Sequence, residues 1–175
     1  MRLTRRHLLA SLAVVAMGTP FAVGVSWWDQ APSAPLKHLS HDEVAFIDAL
    51  ADGIFPEGGE PALSGRAARV SRYVDALLGG MIPTQRNLFR AAIHGLNTLA
   101  VAQTGSTVNA MSPAQAGDIM ARWLAADEGA LRGIAQSFHI FIGMGYLAHP
   151  AVSPAISGQF RCGFGGTVGG FGYAE

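Results

Sequence analysis

The sequence predicts an all-α fold, a small bundle of about five helices followed by an extended glycine-rich C-terminal arm. Three observations predict it. Apolar residues recur with helical periodicity in five successive segments. Serine or threonine precedes four of these segments, at the position that helix N-caps favour. Proline or glycine follows the last apolar residues of several segments, where a helix would end.

The first helix has a well-defined start and end. Ser40 is the predicted N-cap, and Glu43 stands three residues later, where it can close a capping box. The helix should end near Phe55, because Pro56 disfavours helical geometry in the residue before it. The apolar face between these ends would comprise Val44, Ile47, Leu50, Ala51 and Ile54.

Two further helices follow a glycine- and proline-containing turn. Ser64 can cap the second helix, which would end at Gly79-Gly80. Its apolar face would comprise Ala67, Val70, Tyr73, Val74, Leu77 and Leu78. Thr84 can cap the third helix. That helix carries a stripe broad enough to contact two neighbours, made of Leu88, Phe89, Ala92, Ile93, Leu96, Leu99 and Ala100.

The fourth and fifth helices come after a polar loop. Ser112 is the predicted cap of the fourth, with Pro113 at the first helical position and Gln115 at the capping-box position. The fourth helix would bury Ile119, Met120, Trp123 and Leu124. The fifth begins at Asp127 or its neighbours and ends before Pro150. Its face would comprise Leu131, Ile134, Ala135, Phe138, Phe141, Ile142 and Tyr146.

Composition divides the chain into a leader with linker at residues 1–35, a helical domain at 36–149 and an arm at 150–175. Seven of the last 26 residues are glycine and two are charged, yet aromatic residues remain. Ordinary disordered segments combine low hydrophobicity with high charge, and this arm has neither. It is interpreted as an arm that lies on a partner, with a simple frayed end as the alternative. The expected partner contacts are Tyr146, Phe160, Phe164 and Phe171.

The leader has the parts of an export signal: a basic head, a short apolar run and an exit of small residues. Arg5-Arg6 follows Thr4 and precedes Leu8-Leu9 by one residue. This order resembles the twin-arginine export signal, whose pathway carries folded proteins. An ordinary secretory signal with two arginines by chance is the alternative.

The site at which the leader would be removed is left open by the sequence. Cleavage after Gly24, Ser26 or Ser33 fits small residues, but none of these positions has a clear Ala-x-Ala pattern. An uncleaved anchor is the alternative, and Trp27-Trp28 would then suit a membrane interface. The expected location is the periplasm, at the cytoplasmic membrane through a complex or through the retained leader.

The chain is poor in charge. Charged residues make up 14% of it, well below the roughly 25% of ordinary soluble domains. The formal net charge is zero, so neither nucleic acid nor an anionic membrane surface is favoured as a partner. A surface partly covered by another protein would explain the composition, and a neutral Ala- and Gly-rich domain is the alternative. The single cysteine, Cys162, cannot form an internal disulfide and would pair with another chain or stay free.

No motif for catalysis, metal or cofactor binding is present. The six histidines form no His-x-x-x-His pair, and Cys-x-x-Cys, Gly-x-Gly-x-x-Gly and phosphate-loop motifs are missing from the sequence. His38 and His41 could join Asp42 in a metal site, but we interpret them as solvated loop residues. His94 and His139 are expected to be packed or surface polar residues of helices. No catalytic, cofactor-binding or metal-binding residue is therefore predicted in this chain.

Three segments resemble a known family, the gluconate 2-dehydrogenase subunit 3 kind of small subunit. Residues 39–57 resemble its opening helix, which ends in an Ile-Phe-Pro-like turn, here Ile-Phe-Pro-Glu. Residues 69–75 resemble its Val-x-x-Tyr-Ile-Asp element. Residues 145–152 resemble its Gly-Tyr-x-x-x-Pro-x-Val turn. Small subunits of sorbitol- and fructose-type dehydrogenases are a related alternative.

The resemblance implies a role without an active site. In such membrane-associated complexes a large subunit binds FAD and oxidises a sugar or alcohol, and a cytochrome c subunit passes electrons to quinone. FAD, and haem c where a cytochrome subunit is present, would thus belong to partners. The small subunit would bind the flavoprotein in the cytoplasm, stabilise it and take it through the Tat translocase. The rival hypothesis is a self-sufficient exported or signal-anchored helical protein with a binding or structural role.

Overall fold

The described part of the protein is built from helices joined by loops. The computed structural model describes residues 30–157. Its helices are α1 His41–Ile54, α2 Val70–Gly79, α3 Pro83–Thr104, α4 Pro113–Leu124, α5 Gly129–Leu147 and the short α6 Ser153–Ser157. A 3-10 turn, Val108–Ala110, lies between α3 and α4. The all-α prediction is confirmed.

All of these helices belong to the second of two units into which the chain divides, Met1–Ala31 and Pro32–Glu175. Within residues 30–157, β-pairing is limited to an isolated bridge between Pro32 and Ser40. No helix in this part of the chain combines the length and apolarity needed to cross a membrane.

The start of α1 agrees with the predicted capping box. The Oγ atom of Ser40 accepts a hydrogen bond from the Glu43 N–H at 3.4 Å. The Glu43 carboxylate in return accepts one from the Ser40 N–H at 2.8 Å. The helix ends at Ile54, with Phe55 as its C-cap in front of Pro56. Both predicted ends of the first helix are confirmed.

The start of α2 differs from the prediction. The Ser64 hydroxyl accepts from the Ala67 N–H at 3.2 Å, but it caps a turn and the helix begins only at Val70. Arg69, just before the helix, has a left-handed backbone with φ of 52°. A right-handed helix cannot run continuously from Ser64 through Arg69, because the left-handed backbone of Arg69 breaks it. Ala67 is consequently exposed, while Ala68 is buried.

The third helix also differs at both ends. Pro83 is its first residue and Ile82 its N-cap, so Thr84 lies inside the first turn and does not cap it. The helix continues to Thr104, into the segment that the sequence predicts as a polar loop. It ends at Gly105, whose φ of 75° is the left-handed geometry of a glycine C-cap.

The last two long helices begin as the sequence indicates. Ser112 and Gln115 form the predicted capping box of α4, with Pro113 in the first turn. The fifth helix starts at Gly129 after Glu128 and ends at Leu147, before Pro150.

The core forms where α1 packs against α2, α3 and α4, while α5 packs against α2 and α4. Phe138 lies edge-on to Phe46 at 5.9 Å between centroids and 4.7 Å from the Phe89 ring. Trp123 is fully buried, and its indole N–H donates to the side-chain oxygen of Gln103 at 3.1 Å. Other fully buried large side chains include Leu39, Ile47, Leu50, Leu78, Ile93, Ile119, Met120 and Ile142.

The backbones of α1 and α4 approach each other at two glycines. A Cβ atom placed on Gly53 would lie 2.5 Å from the backbone nitrogen of Gly117. A Cβ atom on Gly117 would lie 2.8 Å from the Gly53 carbonyl oxygen. Real Cβ atoms do not come this close, so both positions require glycine for this helix crossing.

Candidate functional site

The three segments that carry the family resemblance meet at one junction. Gly145 on α5 lies against α2, since a Cβ atom there would be 3.1 Å from side-chain atoms of both Val70 and Tyr73. The next residue, Tyr146, stacks on Phe55 at the end of α1, with ring centroids 3.8 Å apart. Residues far apart in sequence thus form one contact region, which we call the motif junction: Phe55, Val70, Tyr73, Gly145 and Tyr146.

Tyr146 is an internal residue of this junction. Its side chain is buried, and its hydroxyl lies 2.7 Å from the Leu63 carbonyl oxygen and 3.2 Å from that of Pro61. Burial raises the pKa of Tyr146. The hydroxyl therefore fixes the loop between α1 and α2. The sequence predicts a partner contact at Tyr146, but its ring already packs on Phe55 and its hydroxyl already bonds within the chain.

Asp75, at the end of the second motif segment, binds the chain that precedes α1. Its carboxylate accepts hydrogen bonds from the backbone N–H groups of Lys37 at 3.0 Å, His38 at 2.8 Å and Leu39 at 2.9 Å. Asp75 is 6% exposed, so these bonds are largely shielded from water. These three bonds should hold the segment firmly, because a hydrogen bond to an ionised group is stronger than one between neutral groups.

Glu43 links α1 to α3 through a buried charge cluster. One carboxylate oxygen lies 2.8 Å from Arg90 Nε and 3.1 Å from His94 Nε2. The other accepts the Ser40 N–H, so both oxygens are used inside the fold. Burial alone would raise the pKa of Glu43, but the hydrogen bonds from His94, Ser40 and Arg90 outweigh it and hold that pKa below its ordinary value. These contacts favour an ionised Glu43 carboxylate that holds α1 and α3 together.

Asp48 is the other perturbed acid of the described chain. Its Oδ1 atom is buried without a hydrogen-bond partner. Burial raises the pKa of Asp48, against the lowering effects of a Ser71 hydrogen bond and the Arg66 charge, while Asp52 adds to the rise. Perturbed acids are candidates for catalysis when a cleft and a partner group accompany them. Asp48 lies on α1, where Ser71 of α2 bonds to it, and it is next to an ion pair of Arg66 with Asp52.

Residues 30–157 bring together no three His, Cys, Asp or Glu side chains that could hold a metal ion. His41 is exposed beside the start of α1, and His38 is half-buried. His94 is a half-buried polar residue of α3, within what the sequence predicts, and its partner is the buried carboxylate of Glu43.

The feature that suits a partner is an exposed apolar face on α5, which we call the α5 stripe: Ile140, Met144 and Leu147. These side chains are 56%, 45% and 48% exposed. Their spacing of four and three residues places them on one helix face. Between Arg132 and Arg161 the sequence has no Asp, Glu, Lys or Arg, so the stripe has no charged neighbour along its helix.

The α5 stripe was not predicted from the sequence. The available signal was that α5 is apolar on nearly all sides, which indicates more than one covered face. Leu88, which was expected in the buried stripe of α3, is 65% exposed and adds to the apolar surface.

Most of the residues predicted for export or partner binding lie outside the described part of the chain, and those predictions stay predictions. They are Arg5, Arg6, Leu8, Leu9, Phe160, Cys162, Phe164 and Phe171.

Comparison with known proteins gives one match. No curated protein and no solved structure matches the chain at a significant level. The family described as gluconate 2-dehydrogenase subunit 3 matches residues 41–161, well over half of the sequence. The matched range contains the whole motif junction and α1 to α6. The chain therefore belongs to the gluconate 2-dehydrogenase subunit 3 family.

Proposed function

We propose that this protein is the non-catalytic small subunit of an exported, FAD-dependent dehydrogenase of sugars or alcohols. Membership of the subunit 3 family over residues 41–161 carries this proposal, because that family supplies a subunit of a dehydrogenase complex. The buried acids support the non-catalytic role. Both oxygens of Glu43 and of Asp75 bind groups of this chain.

The partner is the large FAD-binding subunit, and the α5 stripe is the surface that binds it. An apolar helix face with anchors at i, i+4 and i+7 is a common way for one protein to dock on another. A helix that lies on a membrane surface would carry Lys and Arg on its polar face. In α5 the Lys and Arg residues are limited to Arg132, which lies more than two helical turns before the stripe. A protein surface is therefore the better occupant.

The subunit also supplies the export signal for the complex. Its Arg5-Arg6 pair directs the folded small subunit to the Tat translocase, and the bound flavoprotein crosses with it into the periplasm. FAD stays in the large subunit, and haem c in a cytochrome subunit where the complex has one. Cys162 forms a disulfide with a cysteine of the large subunit once the complex reaches this oxidising compartment.

The test is fractionation of cells that carry Arg5→Lys with Arg6→Lys. The flavoprotein is expected to remain in the cytoplasm with its FAD bound, detected by flavin absorbance and mass. Arg2→Lys is the matched control, because it changes a basic residue of the same head outside the pair. Normal periplasmic flavoprotein in the double variant would refute the export role.

Co-purification from wild-type cells tests the complex itself. A FAD-binding dehydrogenase should copurify with the small subunit, and the two should elute together from a size-exclusion column at the mass of the complex. A non-reducing gel should show the two chains joined, and Cys162→Ser should separate them. A chain that is stable, monomeric and never associated with a flavoprotein would support the rival, a self-sufficient exported protein.

A further inference from the structure

The segment just before α1 is tied to the domain by two buried carboxylates. Asp75 binds the backbone N–H groups of Lys37, His38 and Leu39, and Glu43 binds that of Ser40. Four consecutive amides of the main chain are thus held by acids that are 6% and 0% exposed. We call residues 32–40 the collar.

The collar is also bonded to itself. The Ser33 N–H donates to the Leu39 carbonyl at 2.8 Å, and the Leu36 N–H donates to the Ser33 carbonyl at 2.7 Å. Pro32 pairs with Ser40 in an antiparallel bridge. The chain therefore folds back on itself directly before α1, and its backbone is hydrogen-bonded at Ser33 and from Leu36 to Ser40 even where the side chains are exposed.

The collar depends on helices that follow much later in the sequence. Asp75 lies on α2, and the Glu43 carboxylate is held by Arg90 and His94 of α3. The bond from the Ser40 N–H to Glu43 belongs to a local capping box. The three bonds to Asp75 can form only after α2 has packed beside the collar, so the closure of residues 37–39 depends on the folded domain.

We propose that the collar sets the limit for removal of the leader: in the folded chain, cleavage takes place before Pro32 or does not take place. A protease needs a free stretch of backbone, so a hydrogen-bonded segment is cut only through transient opening. Of the three cleavage positions that the sequence allows, the one after Ser33 is closed. Those after Gly24 and Ser26 precede the collar. The proposal rests on the proposed function only in assuming that the leader is exposed to a processing protease.

Lys37 makes the collar directly testable, because it is the single lysine of the chain. A lysine-specific endoprotease can cut only the Lys37–His38 bond, and the Lys37 side chain is exposed. Protection of this bond must then come from the backbone. The full-length chain should be cut slowly in native buffer and rapidly in denaturant.

The decisive variant is Asp75→Ala, which removes the acceptor of three collar amides. We expect its Lys37–His38 bond to be cut about tenfold faster or more, with the helical circular dichroism retained. Asp127→Ala, a change of an exposed acid between α4 and α5, should leave the rate unchanged. Equal rates in the wild type and Asp75→Ala would refute the collar.

A second measurement avoids any variant that fails to fold. Hydrogen exchange of the wild-type amides 37–40 should be slow, at a rate comparable with that of amides inside α1. Exchange as fast as in an unfolded chain would overturn the proposal. This measurement, like the protease assay, does not depend on export.

The mass of the exported chain gives the physiological outcome. A mature chain that begins at Pro32 or earlier, or that keeps its leader, agrees with the collar. A mature chain that begins at Ser33 or later contradicts it. If the chain is not exported at all, the export role fails, while the protease and exchange results still decide the collar.

Discussion

The ring of Tyr146 lies flat on the ring of Phe55, with centroids 3.8 Å apart and planes 3° from parallel. Phe55 is the C-cap of α1, and Tyr146 lies in the last turn of α5. The Ile-Phe-Pro turn and the Gly-Tyr segment are therefore two sides of one contact. The Tyr146 hydroxyl extends that contact to the loop before α2.

Removal of the Tyr146 hydroxyl should cost stability without loss of the ring contact. Tyr146→Phe leaves the Leu63 carbonyl without its donor, so we expect a loss of about 0.5–1.5 kcal/mol in the free energy of unfolding. Tyr146→Ala should cost about 3–5 kcal/mol, since it also empties the space of a buried ring. Urea unfolding of the purified chain measures both. Tyr73→Phe changes a half-buried tyrosine whose hydroxyl makes no hydrogen bond within residues 30–157, so it should have little effect, and an equal loss there would count against this explanation.

The crossing of α1 and α4 gives a second prediction. Gly53→Ala places a Cβ atom 2.5 Å from the Gly117 backbone nitrogen, so the two helices must move apart. We expect a loss of about 1–3 kcal/mol or more in the free energy of unfolding. Gly95→Ala is the matched control, because Gly95 is exposed on α3 and a Cβ atom there meets nothing. That change should stabilise the chain by about 0.5–1 kcal/mol. Losses of similar size at both positions would contradict the close crossing.

The Glu43 cluster predicts a loss of stability in acid. The pKa of Glu43 in the folded chain lies below its ordinary value of 4.5, so the folded state binds protons more weakly than the unfolded one. The resulting stability is fully present above about pH 4.5 and is lost as the pH falls through the folded pKa.

Glu43→Gln should lower stability at neutral pH by about 1.5–3 kcal/mol, because bonds to a charged group are lost. The difference from the wild type should shrink as the pH falls below 4.5, in urea titrations across pH 3 to 7. A constant difference over that range would argue against an ionised Glu43.

Ionisation of Asp48 should have the opposite effect on stability to that of Glu43. Its pKa in the folded chain is raised above the ordinary value of 3.8, so its ionisation opposes folding once the pH rises through the folded pKa. Asp48→Asn should therefore stabilise the protein at neutral pH by less than about 1 kcal/mol, given screening of a half-buried group. The gain should vanish below pH 3.8. If Asp48→Asn lowers stability at neutral pH, the ionised Asp48 stabilises the fold through Ser71 or Arg66, and the prediction is wrong.

Helix ends were predictable where their determinants lie within a few residues. The capping boxes of α1 and α4 need only Ser40 with Glu43 and Ser112 with Gln115, and both are confirmed. The start of α2 was not predictable, because the turn after Ser64 depends on contacts between separate elements. A Cβ atom on Gly65 would collide with the backbone of Ala51 on α1.

The buried polar contacts could not be predicted from the sequence either, because they join residues that are far apart along the chain. Glu43 was recognised as a capping residue, but its bonds to Arg90 and His94 join residues that are 47 and 51 positions apart. Likewise, Asp75 meets His38 across 37 positions. Which side of α5 stays exposed depends on where α2 and α4 lie, so the periodicity of α5 could not show that Ile140 faces outward.

The α5 stripe is the part of the surface that should matter for assembly and not for folding. Met144→Glu and Ile140→Glu each place a charge on an exposed face, so the isolated chain should keep its helical circular dichroism and its urea midpoint. Binding to the proposed partner, a large FAD-binding subunit, should weaken about 30-fold or more, as expected when a charge enters the apolar centre of an interface. Gln136→Glu is the matched control, since it adds the same charge to an exposed polar position of the same helix. Co-purification yield and a binding titration with the purified flavoprotein measure the effect. If both stripe variants bind as well as Gln136→Glu, the large subunit docks elsewhere, and the exposed side chains of Ile82, the N-cap of α3, and Leu88 on α3 become the next surface to change.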